Sequence, residues 1–151
     1  MRIYVPLTPE ELAAPEISPR LVHAVTPDLV RVLGTQDEEE REYVAFLAAA
    51  DDSLRFDSPT PRRVVVCADM PHASLELPNA EDQVIETGVH LIDALAWDRV
   101  DSIHVDEDES REIIAAAREG DDVAFEASAD VDLLWYDVIE RDALIAMMAT
   151  N

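Results

Sequence analysis

The segment from Arg62 to Ala68 limits the fold more than any other part of this chain. After two arginines it reads Val64-Val65-Val66-Cys67-Ala68, so it is apolar on successive residues. A strand with one face in water alternates apolar and polar residues, and this segment has no such alternation. It therefore predicts a strand that is covered on both faces.

Other segments have the composition or the alternation of strands: residues 2–6, 21–25, 84–89, 101–106 and 133–138. Pro6 is expected to close the first of them, because proline has no N–H group for a strand ladder. In residues 101–106, Ile103 and Val105 share one face, and the other face carries His104 and Asp106. This strand is expected to be half exposed or to line a site.

The longest predicted helix covers residues 36–54. It follows a capping box that begins at Thr35, and its first turn holds carboxylates that favour the positive end of the helix dipole. Apolar residues from Tyr43 to Leu54 recur at spacings of four, three and four, which predicts a core-facing side. Shorter helices are predicted at residues 9–14, 27–33, 93–97, 107–119 and 142–148, the fourth of them capped by Asp106 and ended by Gly120.

Nothing in the chain marks a division into domains. There is no change of composition, no linker rich in Gly and Ser, and no repeat of fixed period. Strands interleaved with helices predict a single α+β domain over residues 1–151, with helices packed on a mixed β-sheet. The expected arrangement is a ferredoxin-like sandwich with additions.

Charge is the most unusual property of the composition. The chain has 34 Asp and Glu against 11 basic residues, all of them Arg, for a net charge of −23. Nucleic acids and anionic membranes attract proteins through Lys and Arg, so neither is an expected partner. A basic protein partner fits this charge. A simpler explanation fits as well, because like charge keeps a protein soluble and monomeric.

The sequence also predicts a cytoplasmic location. No apolar run approaches the roughly 20 residues that cross a bilayer, and the N-terminal sequence reaches Pro6 and then acidic residues before an apolar signal segment forms. The single cysteine, Cys67, lies in an apolar run and is expected to be a buried thiol.

Motifs of the easily recognised enzymes are missing. The chain has three glycines, each isolated, so no loop matches the glycine-rich sequences that bind phosphate. It also lacks the Gly-x-Ser-x-Gly, Cys-x-x-Cys and His-Glu-x-x-His patterns. We predict no cofactor, and the sequence leaves open whether the protein is an enzyme.

One group of residues offers ligands for a hard divalent cation. His104 and Asp106 lie on the same face of a predicted strand, and Asp108 follows in a turn rich in carboxylates. A simpler interpretation also stands. In it, Asp106 caps the next helix, the neighbouring acids favour the helix dipole, and His104 is an exposed strand residue.

A second group, Cys67, Asp69 and His72, follows the central strand, where a Cys–His pair could act as nucleophile and base or bind a metal. No residue in this pattern orients the histidine. Trp135 and Tyr136 are adjacent in a strand, so their rings point to opposite faces. One ring is expected in the core and the other at a helix or a surface patch, which makes this pair, with Asp69, a candidate for contact with a partner.

Several stretches together are similar to a known family: Met1–Leu7, Ala24–Pro27, Glu40–Ala50 with Ser53–Arg55, Arg62–Asp69, and Leu133–Tyr136. The chain resembles an uncharacterised actinobacterial family, a domain of unknown function. The resemblance implies a small cytosolic single-domain protein from a GC-rich bacterium, in agreement with the absence of Lys. It implies no activity, ligand or catalytic residue.

Two functions follow as hypotheses. The first is a non-enzymatic interaction or regulatory protein whose acidic surface binds a basic partner. The second is a small metal-assisted or acid/base enzyme that uses His104, Asp106 and their neighbours. The absence of a catalytic motif favours the first.

Overall fold

The computed structural model describes residues 1–82 and 84–149. In these ranges the strands are β1 (Arg2–Leu7), β2 (Glu16–Ile17), β3 (Arg20–His23), β4 (Val64–Asp69), β5 (Leu75–Glu76), β6 (Gly88–Leu91), β7 (Leu95–Ala96), β8 (Val100–Asp106) and β9 (Leu133–Asp137). The α-helices are α1 (Pro27–Leu33), α2 (Glu38–Arg55), α3 (Arg111–Arg118), α4 (Asp122–Ser128) and α5 (Arg141–Ala149). Short 3₁₀ segments occur at Pro9–Ala13, His72–Ser74, Trp97–Arg99, Asp108–Ser110 and Val138–Glu140.

Most of the described strands form one sheet in the order β5-β6-β3-β1-β4-β8-β9. Each pairing between them is antiparallel, and β2 pairs with β7, also antiparallel, in a separate two-stranded sheet. Antiparallel neighbours need no crossover helix, so helices can cover the two faces of the sheet unequally. The architecture confirms the predicted α+β class with helices packed on a sheet, and the described sheet is antiparallel where a mixed one was predicted.

The two faces of β4 are both covered, as its sequence predicts. On one face, Val65 and Cys67 pack against small residues of α2. On the other face, Val64 and Val66 belong to a larger core that includes Leu144 of α5. The α2 layer covers β3, β1 and β4 more fully than it covers β8 and β9. This unequal cover leaves room for a groove at the β9 end.

Helix α2 begins two residues later than the sequence predicts. The carboxylate of Asp37 accepts the N–H groups of Glu39 and Glu40 at 3.0 and 3.4 Å, so Asp37 is the N-cap. Thr35, the predicted cap, donates its hydroxyl to the Glu40 carboxylate at 3.0 Å instead. Both residue types suit a cap, and here the aspartate accepts the N–H groups of the first turn.

Three other predicted elements differ from the structure. Residues 93–97 contain β7 and the start of a 3₁₀ turn, because Leu95 and Ala96 pair with β2. The strand predicted at 84–89 lies at Gly88–Leu91, since residues 85–88 form a turn closed by Gly88 N–H donating to the Ile85 carbonyl at 2.9 Å. The helix predicted from residue 107 begins at Arg111. The first of these differences depends on a contact with a distant part of the chain.

The first strand does not end at Pro6. It continues to Leu7 and pairs with β4 along its whole length, whereas its register with β3 is limited to Tyr4 opposite His23. Pro6 therefore lies where β3 requires no N–H group from it. In the described part of the chain, no helix is both long and apolar enough to span a membrane.

Candidate functional site

A groove lies between the first half of α2 and β9, on the face of the sheet that α2 covers in part. Its walls carry the rings of Tyr43 and Phe46 from α2 and of Trp135 from β9, with His104 of β8 between them. Two hollows of about 310 and 440 Å³ share these four side chains as lining. We call this region the α2–β9 groove.

Local structure explains why the rings of Tyr43, Phe46 and Trp135 line one groove. Tyr43 and Phe46 are three residues apart on α2, so they lie on adjoining parts of one helix side. Trp135 pairs with His104 across β8 and β9, and cross-strand partners point to the same face. Trp135 is 61% exposed and Tyr43 52% exposed. Two large aromatic side chains thus stand in solvent beside each other, which is typical of a binding surface.

Phe46 forms the apolar floor of the groove. Its ring meets the His104 ring edge to face, with centroids 5.0 Å apart. It also meets the Tyr4 ring edge to face, with centroids 6.2 Å apart. Such contacts hold the rings in fixed positions. The floor is therefore preorganised, while Trp135 and Tyr43 remain open to a ligand.

Carboxylates line the groove. Glu39 and Glu42 come from α2, and Asp132 precedes β9. Among the described lining side chains, Arg2 carries the positive charge. Its Nη1 atom lies 3.2 Å from the Asp101 carboxylate and 3.6 Å from the Asp69 carboxylate. Because these two carboxylates already pair with Arg2, the groove keeps a net negative charge.

Titration of neighbouring groups reflects this negative charge. The pKa of Tyr4 is raised to about 12, first by burial and then by the nearby charge of Glu42. At the Asp132 end, the pKa of Glu107 is raised by its hydrogen bond and repulsion with Glu109, with a further contribution from Asp132. Burial is the larger cause of the raised pKa of Tyr4 and Glu42 adds to it, whereas neighbouring carboxylates are the first cause of the raised pKa of Glu107.

A Cys–His pair lies in the groove floor, but it joins residues from different predicted clusters. The Sγ atom of Cys67 lies 3.5 Å from Nε2 of His104, and the Ser102 hydroxyl oxygen lies 3.1 Å from the same nitrogen. Burial raises the pKa of Cys67 to about 11, and burial together with Arg2 lowers the pKa of His104 to about 4. Both groups are neutral at pH 7, so they do not form the thiolate–imidazolium pair of a cysteine nucleophile.

Asp106 belongs to a buried ion pair. Arg63 donates to its two carboxylate oxygens at 2.8 Å each, and both side chains are at most 1% exposed. Arg63 also donates to the carbonyls of Ser128 and Val131, which fixes the segment before β9. The predicted cap at Asp106 is wrong, because a buried guanidinium requires this carboxylate. The sequence offered one indication of this pair: Arg63 directly precedes a strand predicted to be buried, where a charged residue needs a partner of opposite charge.

The predicted metal ligands are not brought together. His104 faces Cys67 and Ser102, whereas Asp106 is occupied by Arg63. Asp108 points elsewhere and pairs with Arg62 at 3.3 Å and with Arg111 at 3.5 Å. Across residues 1–82 and 84–149, no group of three or more His, Cys, Asp and Glu side chains could hold a metal ion.

The remaining predicted site residues separate. Asp69 lies at the end of β4 and pairs with Arg2, whereas His72 is exposed in a 3₁₀ segment. The two rings of the β9 pair point to opposite faces, as the strand pattern predicts. Tyr136 packs against the larger core, and Trp135 lies in the α2–β9 groove.

Tyr43, in one wall of the groove, is exposed where the sequence predicted a core residue. Tyr43 was expected in the core-facing side of the long helix, but the buried residues of α2 centre on Ala45, Ala49 and Ala50. The predicted stripe that begins at Tyr43 and the set of alanines both have the spacing of a helix face. The alanines are the residues that pack on β4. An aromatic residue next to Glu42 at the start of the helix was the available signal of a surface role.

A second histidine, His23, has two polar partners. His23 lies 2.7 Å from the Thr87 hydroxyl through Nδ1 and 2.6 Å from the Asp52 carboxylate through Nε2. A hydroxyl, an imidazole and a carboxylate in this order occur in hydrolases. Here Thr87 is 2% exposed and His23 1% exposed, so the hydroxyl does not face a substrate. The chain of bonds joins β3, α2 and the segment before β6.

A family model described as a family of unknown function (DUF6912) matches residues 1–145. The chain belongs to this family. Its membership confirms the predicted resemblance to an uncharacterised family. No curated protein and no solved structure matches the chain. Membership in DUF6912 brings no ligand with it, so the α2–β9 groove is interpreted from its own residues.

Proposed function

We propose that this protein is a non-enzymatic interaction protein that binds a basic segment of a partner protein in the α2–β9 groove. The observation that carries the proposal is the pair of exposed rings, Tyr43 and Trp135, flanked by the carboxylates of Glu42 and Asp132. A guanidinium or ammonium group over an aromatic face gains about 0.5–2 kcal/mol. A carboxylate within reach adds a charge-assisted hydrogen bond.

Charge supports a basic partner over an apolar one. The net charge of −23 attracts a cationic segment from a distance, and the groove contributes acids whose charge no described arginine neutralises. We place this activity in the cytoplasm. The support for that location is the single cysteine, which is buried and forms no disulfide.

The alternative function, a metal-assisted or acid/base enzyme, has less support. It needs the side chains of His104 and Asp106 to converge on a substrate, and Asp106 is instead fully buried against Arg63. The neutral Cys67–His104 pair offers neither a base of suitable pKa nor a thiolate. The features that remain in the groove are those of binding.

Fluorescence anisotropy with a labelled decapeptide of alternating Arg and Val tests the proposal. We expect binding at about 20 mM NaCl that weakens steadily toward about 200 mM, because salt screens an interaction between charges. Trp135→Ala should lower the affinity about tenfold, the equivalent of about 1.4 kcal/mol. Val32→Ala is the matched control, since Val32 is 60% exposed and lies outside the groove.

A second pair of variants separates the groove from the overall charge. Glu42→Gln and Glu112→Gln each remove one negative charge, but Glu112 lies on α3, away from the groove lining. We expect the first to weaken peptide binding more than the second. Equal effects of Trp135→Ala and Val32→Ala, or no binding at low salt, would overturn the proposal.

A further inference from the structure

Strand β9 ends the sheet and has an open edge. It pairs with β8 on one side and is the last strand in the sheet order. Among the described residues, no backbone hydrogen bond joins the outer edge of Leu133–Tyr136 to another segment. Amide N–H and carbonyl groups on such an edge can pair with an extended segment of another protein.

The two edges of the sheet differ in how they are protected. The opposite edge is β5, which is two residues long, and short edge strands resist pairing with other chains. Strand β9 is five residues long, and its pairing with β8 runs in register from Leu133 to Asp137 without a bulge. Its sequence, Leu133-Leu134-Trp135-Tyr136-Asp137, contains neither proline nor a basic residue. The edge is therefore a template for an added strand.

We infer that the basic segment binds as an extra β-strand along the outer edge of β9, an inference that rests on the proposed function. The residue opposite Trp135 would share its face of the sheet, where cross-strand Cβ atoms are about 5 Å apart. A basic side chain at that position reaches the Trp135 ring and the acids of the groove. This geometry fixes both the backbone path and the side-chain order of the segment.

The opposite face sets the second requirement on the partner. Leu134 is 40% exposed there, and Tyr136 is half buried beside it. Side chains of an added strand alternate between faces, so the residues next to each basic one lie against this apolar face. The partner class is therefore an extended segment in which basic and apolar residues alternate.

A second copy of this chain fits the edge less well. Two molecules joined through β9 would bring together two chains that each carry a net charge of −23, and each would contribute Asp132 next to the shared edge. Like charges in such positions oppose pairing. A cationic segment meets the same edge with opposite charge, so charge complementarity selects it.

Amide hydrogen exchange, followed by NMR with and without the Arg-Val decapeptide, tests the inference. In strands, successive amides point to opposite edges, so alternate amides in Leu133–Tyr136 face the open side. We expect these outward amides to exchange rapidly in the free protein and at least tenfold more slowly with saturating peptide. Amides of β5 serve as the control and should not change.

A composition-matched peptide completes the test. A decapeptide with five Arg followed by five Val has the same charge and composition. As an added strand, it cannot place all its Arg side chains on one face of the sheet and all its Val side chains on the other. We expect it to bind about tenfold more weakly than the alternating peptide. If both peptides bind equally, require Trp135 and leave the outward amides unprotected, strand addition is wrong while the proposed function stands. Outward amides already protected in the free protein would assign the edge to a second copy and overturn the inference.

Discussion

At the scale of single residues, the least expected feature is the burial of Arg63 with Asp106. Arg63 uses its guanidinium for two bonds to the carboxylate and two to backbone carbonyls, so each of its three nitrogens has a protein partner. Removing one partner of such a pair leaves a charge in a medium where it is poorly solvated. The pair thereby connects β4, β8 and the segment that leads into β9.

Asp106→Asn tests this interpretation. We expect the free energy of unfolding to fall by about 3–5 kcal/mol, because Arg63 would keep its charge without a counterion. Urea denaturation followed by circular dichroism measures the change. Asp28→Asn is the matched control, since the Asp28–Arg31 pair is exposed and should contribute less than about 1 kcal/mol. Similar losses in the two variants would contradict the role assigned to burial.

At the scale of elements, α2 and β9 form the walls of the groove by different means. Helix α2 depends on its N-terminal cap, because Glu39, Glu42 and Tyr43 all lie within its first two turns. Strand β9 depends on its register with β8, which places Trp135 beside His104. A one-residue shift of that register would move Trp135 to the opposite face.

The cap of α2 gives a prediction at this scale. Asp37→Ala should lower the free energy of unfolding by about 0.5–2 kcal/mol, because two N–H groups at the start of the helix lose their acceptor. Asp37→Ser should retain most of the stability. Thr35→Val is the control, because Thr35 does not cap the helix, and thermal denaturation compares the three. A larger loss for Thr35→Val than for Asp37→Ala would show that the cap is misassigned.

At the scale of the whole molecule, the net charge of −23 opposes the compact state. The described ion pairs use part of the acidic side chains, but most carboxylates face solvent without a basic neighbour. Salt screens repulsion between exposed charges. Stability should therefore depend on ionic strength more than it does in a protein of balanced charge.

We expect the thermal midpoint to rise between about 10 and 500 mM NaCl, by about 2–4 °C for each kcal/mol of repulsion that is screened. Differential scanning calorimetry measures it. Repeating the series with choline chloride separates screening from binding of Na⁺, since both salts screen alike. A midpoint that stays constant or falls with both salts would be inconsistent with repulsion among the carboxylates.

The sequence by itself determined the α+β class, the doubly covered strand β4, the long helix α2 and the strand β9 with its rings on opposite faces. These features depend on local periodicity and capping, which each segment carries within itself. It also indicated the acidity and the family resemblance.

Only the tertiary structure decided which of those residues meet. Arg63 selected Asp106 as an ion-pair partner, Cys67 met His104 and not His72, and Tyr43 stayed exposed because alanines of α2 packed on the sheet. The partners in each case are distant in sequence, and no local pattern specifies which strand or helix will lie opposite. The groove, the open edge of β9 and the binding proposed there all depend on these contacts between residues that are distant in sequence.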